Sequence, residues 1–123
     1  MILPGDEKNT LPEIVFDEMK GTVSIKGRSI SPEVNVYFEE FISYFKDCIQ
    51  KQPMNLKVDI DMEYYNSSTS RILVDFFKSA KIVEEKNFNV DISWYIEKDD
   101  EDMIERAHDY ESLVGLKFNV IEK

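Results

Sequence analysis

The chain has 123 residues, 42% of them hydrophobic and 12% aromatic, which is enough apolar material for one domain with its own core and too much for a disordered segment. Its 15 basic and 25 acidic residues leave a net charge of −10, which argues against phosphate backbones and anionic membrane surfaces as partners. No apolar run approaches the roughly 18 residues of a membrane span, the N-terminus lacks the basic and apolar regions of a signal peptide, and the single Cys48 can form neither an internal disulfide nor a thiolate metal cluster. These features point to a cytoplasmic protein.

Residues 1–12, with Pro4, Gly5 and Pro12, read as a flexible leader to a single domain over residues 13–123. Short apolar alternations at Ile14 and Phe16, and at Val23 and Ile25, predict two strands joined by a hairpin turn at Glu18–Gly21. A helix is expected from about Pro32 to Lys51, with Ser31 as its cap. Val34, Tyr37, Phe38, Phe41, Phe45 and Cys48 form its apolar stripe. The third strand is the most legible element. Leu56, Val58, Ile60, Met62 and Tyr64 alternate with Lys57, Asp59, Asp61 and Glu63. A second helix is expected over about Thr69–Lys86, burying Ile72, Leu73, Phe76, Phe77, Ala80 and Val83.

The alternation returns from Phe88 through Val90, Ile92 and Trp94 to Ile96. A third helix follows over about Asp100–Val114, ending at Gly115, and a last strand carries Leu116, Phe118 and Val120. Strands buried on both faces would be continuously apolar, and these alternate. The expected fold is therefore α/β: one mixed sheet of about five strands, ordered β-β-α-β-α-β-α-β, with helices packed mainly on one face. The strands flanking the second helix should run parallel through a right-handed crossover.

The hydroxyl run Ser67-Ser68-Thr69-Ser70 lies at the mouth of the second helix. Serine and threonine cap helices, so a structural role is one reading. The other is phosphorylation, because unpaired N–H groups and the helix dipole stabilise a phosphate there by about 0.3–1 kcal/mol. The acidic run Asp99-Asp100-Glu101-Asp102 reads as a cap with an acidic first turn, and it lacks the glycine and spacing of a calcium loop. Parallel strands would bring it to the same sheet edge as the serines, where it would meet a phosphate as like charge. The row Asp59, Asp61 and Glu63 reads as a solvated sheet face, and His108 as a solvent-facing side chain. No nucleophile elbow or phosphate-cradling glycine loop is present, so no catalytic residue, metal or cofactor is expected.

Ile25-Lys26-Gly27-Arg28-Ser29, Pro32-Glu33, Tyr64-Tyr65-Asn66-Ser67-Ser68-Thr69-Ser70-Arg71, Trp94-Tyr95 and Asp99-Asp100-Glu101-Asp102-Met103 occur in that order. Together they resemble the SiaC family of bacterial regulatory phosphoproteins, over about residues 13–121. The element order is similar to that of STAS domains, the anti-sigma factor antagonist fold, in which the switch serine also opens the second helix.

The resemblance implies a partner switch. A dedicated kinase would phosphorylate the hydroxyl after the asparagine, here Ser67, and a PP2C-type phosphatase would remove the phosphate. The unphosphorylated form would bind and activate a diguanylate cyclase, raising cyclic di-GMP and promoting biofilm formation. The family usually carries threonine at the acceptor position and lysine where Arg71 stands; serine is a competent acceptor and arginine keeps the charge, and the adjacent Ser68 and Thr69 are the alternative acceptors. Tyr65, Asn66, Ser68, Thr69, Ser70 and Arg71, with Asp99, Asp100, Glu101 and Asp102, would form the switch loop and partner surface. The competing reading is a constitutive interaction module of the same fold whose serine run only caps a helix.

Overall fold

A computed structural model describes residues 1–123. The elements are β1 (Ile2–Leu3), β2 (Glu13–Asp17), β3 (Thr22–Ser29), α1 (Val34–Lys51), β4 (Leu56–Tyr65), α2 (Ser67–Glu85), β5 (Val90–Ile96), α3 (Glu101–Val114) and β6 (Phe118–Glu122). They form one six-stranded sheet in the order β1-β2-β3-β4-β5-β6. The β1–β2 and β2–β3 pairs are antiparallel, and β3 through β6 are parallel neighbours. Three successive crossovers of one hand, each stepping one strand in the same direction, put all three helices on the same face.

The strand count differs from expectation because the segment read as a leader contributes one. Ile2 pairs with Val15 and Leu3 with Ile14, and Leu3 is buried. The rest of the segment is tied down as well. The Tyr37 hydroxyl accepts the Gly5 N–H at 2.7 Å and donates to the Pro12 carbonyl at 2.6 Å. Asp6 accepts the Thr10 and Leu11 N–H groups. A two-residue strand is too short to produce a periodic signal, which is why it was not legible.

α1 starts at Val34, two residues later than predicted. Ser31 is not its cap: the Ser31 hydroxyl accepts the Glu33 N–H, closing a local turn, and Glu33 stands at the cap position without a side-chain bond. Phe38, Phe41, Phe45 and Ile49 face the core. α3 ends as expected at Gly115, whose left-handed φ of 76° lets its N–H return to the Glu111 carbonyl. The core joins both layers through aromatic rings. Phe16, Phe41, Phe45 and Phe76 cluster at one end, and Phe77, Trp94, Tyr110 and Phe118 at the other. Trp94 is fully buried.

One irregularity positions the functional end. The β3–β4 register pairs Gly27 with Met62 and then Arg28 with Tyr64, so β4 carries an extra residue at Glu63. A one-residue shift exchanges the two faces of a strand. Tyr64, expected to point inward with Met62, is 62% exposed, and Tyr65 is 5% exposed in its place.

Candidate functional site

β4 hands the chain to α2 through Asn66, whose extended backbone (φ −89°, ψ 175°) stops the helix from starting earlier. The Asn66 side-chain oxygen accepts the Thr69 N–H at 2.9 Å and the Thr69 hydroxyl at 2.8 Å, which makes Asn66 the N-cap. Its own N–H donates to the Ser29 carbonyl at 3.0 Å, fixing the turn to β3. The helix therefore begins at Ser67, two residues ahead of the expected start. The serine run forms the first turn, and the capping role assigned to it falls to the asparagine.

This geometry separates the four hydroxyls. Thr69 is fully buried, and its oxygen lies 2.7 Å from the Ser29 hydroxyl and 3.1 Å from the Ser29 carbonyl. The Ser70 hydroxyl lies 2.7 Å from that of Tyr110, which lies 3.2 Å from that of Tyr65. Ser68 is half-buried, and Ser67 alone is exposed. Of the two alternative acceptors, Thr69 is thus locked inside the structure.

Ser67 opens onto a recess of about 580 Å³, lined also by Tyr64, Tyr65, Asn66, Ser70, Arg71 and Arg106. The Arg106 guanidinium lies over the Tyr65 ring, 5.3 Å from its centroid. Burial pushes the Tyr65 phenol well above its ordinary pKa. The Tyr110 hydroxyl adds to this and Arg106 pulls the other way. The neighbouring Tyr65 oxygen in turn holds Arg106 more firmly protonated. Neither Arg71 nor Arg106 takes part in a salt bridge.

The acidic run sits at the C-terminal end of β5, beside β4, so it shares a pole with Ser67 as the sequence implied. Asp100 caps α3 by accepting the Met103 N–H at 3.2 Å, with Glu101 and Asp102 in the first turn. Asp99 occupies the preceding left-handed position (φ 66°). None of Asp99, Asp100, Glu101 or Asp102 lines the recess. Two arginines line it instead, and Asp102, one turn before Arg106 on α3, acts on the Arg106 charge from outside the recess.

Sequence reasoning missed Ser29, Arg106 and Tyr110 as parts of this site. Arg106 and Tyr110 are four residues apart on α3, and the buried Ala107–Tyr110–Val114 stripe was the available signal that this side of the helix faces α2. Elsewhere, His108 is exposed and its Nδ1 lies 2.7 Å from Glu111. Asp59 and Asp61 lie on the open sheet face with Tyr95, and Asp61 pairs with Lys123. The Cys48 thiol donates to Glu18 at 3.1 Å, and burial, reinforced by that carboxylate, raises its pKa. No three histidine, cysteine or acidic side chains come together as a metal-binding group, and no helix is long and apolar enough to cross a membrane.

The family model described as "SiaC family regulatory phosphoprotein" matches residues 6–123. Among solved structures, apo-SiaC from Pseudomonas aeruginosa superposes with a TM-score of 0.86 at 19% identity, covering 98% of this chain and 97% of that one. The complex of diguanylate cyclase SiaD with its activator SiaC, also from Pseudomonas aeruginosa, gives a TM-score of 0.90 at 19% identity and covers 100% of this chain and 99% of that one. No curated protein sequence matches significantly.

Proposed function

The chain belongs to the SiaC family of regulatory phosphoproteins, and from that premise we propose that it is a non-catalytic cytoplasmic partner switch controlled by phosphate on Ser67. The observation that carries this reading is the exposure of Ser67 at the first position of α2, beside hydroxyls that are half-buried or locked. A kinase can reach that oxygen without unfolding the helix. The helix N-terminus and its dipole then favour the added charge of about −1.5 to −2.

The unphosphorylated form binds and activates an effector. Its similarity to an activator solved in complex with a diguanylate cyclase supports an effector of that class, with cyclic di-GMP and biofilm formation as the output. A dedicated kinase and a PP2C-type phosphatase set the phosphate level. Tyr64, Tyr65, Asn66 and Arg71, around the Ser67 recess, form part of the partner surface.

Intact mass and peptide mapping of protein recovered from its native cells, before and after PP2C phosphatase treatment, test the reading. One phosphatase-sensitive phosphate on Ser67 is expected. A chain that stays unmodified across growth conditions would refute the switch and leave a constitutive binding module. The Ser67→Ala variant is expected to retain effector binding permanently. Loss of binding in that variant would make the hydroxyl itself a contact and overturn the release model.

A further inference from the structure

We propose that a phosphate on Ser67 is bound within the chain by Arg71 and Arg106, and that Arg106 leaves the Tyr65 ring to reach it. The proposal rests on Ser67 as the modified residue and adds how the modification is read. The two guanidiniums line the same recess as Ser67 from different helices. Arg71 lies four residues beyond Ser67 on α2, which places the two on the same helix face. Arg106 comes from α3 and lies over Tyr65 at 5.3 Å.

Both arginines are exposed and free of salt bridges, although acidic residues outnumber basic ones by 25 to 15 in this chain. In such a composition, two cations at one recess that form no salt bridge are available to an anion, even though one of them also contacts Tyr65. A guanidinium presents a planar fork of donors that matches phosphate oxygens in a bidentate way. Bidentate charge-assisted bonds to a dianion are stronger than a single cation–ring contact, so Arg106 transfers to the phosphate when one is present. The recess then changes from a cationic surface to one whose charge is largely neutralised. A partner that docks on its positive charge loses that attraction, and the face of Tyr65 beneath Arg106 is uncovered.

The test installs phosphoserine at position 67 by genetic encoding, so that no kinase is needed, and follows the phosphate by phosphorus NMR titration. In the wild-type background the second phosphate pKa is expected about one unit below its ordinary value near 6. Arg106→Gln and Arg71→Gln should each return part of that shift, and Arg106→Lys should retain more of it than Arg106→Gln. In proton NMR, the Tyr65 ring resonances of the phosphorylated wild type should move toward their positions in unphosphorylated Arg106→Gln. A phosphate titrating at its ordinary value in the wild type, or one indifferent to both glutamine variants, overturns the proposal. So does a Tyr65 ring that phosphorylation does not move. Because the phosphate is installed, these failures are separate from failure of the Ser67 reading, which shows as missing phosphate on protein from native cells.

Discussion

Replacing Thr69 by valine removes one hydroxyl and nearly conserves the shape of the side chain. Thr69 is fully buried, as is Ser29, whose hydroxyl lies 2.7 Å away and has no other side-chain partner. With one proton to give, Thr69 donates to either the Asn66 oxygen or the Ser29 carbonyl and accepts from Ser29. The substitution therefore loses a net hydrogen bond worth about 1 kcal/mol and strands the Ser29 hydroxyl, which costs about 1–2 kcal/mol more. Thr69→Val should destabilise the protein by about 2–3 kcal/mol, a fall in melting temperature of roughly 8–12 °C for a domain of this size. Ser29→Ala leaves Thr69 with an acceptor and should cost about 1 kcal/mol.

The double variant removes both partners and should cost about 2 kcal/mol, less than the sum of the single substitutions by 1 kcal/mol or more. Urea unfolding followed by the fluorescence of Trp94, the single and fully buried tryptophan, measures all four proteins. A Thr69→Val protein within about 0.5 kcal/mol of wild type, or a strictly additive double variant, would show that this hydroxyl pair does not tie α2 to β3.

Gly21 has φ of 69°, and a Cβ there would lie 2.2 Å from the Asn55 carbonyl oxygen. Gly21→Ala should cost about 2–4 kcal/mol in the same unfolding assay, more than a left-handed residue costs alone. Glu111 accepts the Phe118 N–H and sits against His108, and these partners depress its pKa below the ordinary 4.5. Its contribution is complete above that pH and is lost as pH falls through the lower folded value. The stability gap between wild type and Glu111→Gln should therefore be present above about pH 4.5 and shrink below it, as read from melting temperatures between pH 7 and 3. Burial and the Glu18 carboxylate raise the Cys48 thiol, so its alkylation at pH 8 should be slow, and Glu18→Gln should accelerate it.

The long strands and helices were legible because their faces differ in polarity over many residues. Leu56 through Met62 and Val90 through Ile96 each alternate cleanly, and the phenylalanines of α1 and α2 fall on single stripes. Three features were not legible, each for a physical reason. β1 is two residues long, below the length at which alternation carries information. The extra residue at Glu63 leaves the sequence pattern of β4 unchanged while reversing Tyr64 and Tyr65, since register is a property of two strands. The hydroxyl run carried a capping signal, but Asn66 holds the cap and also anchors the turn to β3, a contact between segments more than thirty residues apart. Ser67 could be singled out from the hydroxyl run, and the structure leaves it exposed at the start of α2, while Arg106 and Tyr110 depend on how α3 sits against α2.

β4 has a parallel neighbour on each side and the helical layer above it. In amide exchange such a central strand opens last, at a cost close to global unfolding. Ser67 follows its end through a single capping residue, as a flag hangs from a mast. The backbone that would carry a charge at Ser67 is continuous with that strand, so a binding surface meets it in a defined place relative to the sheet.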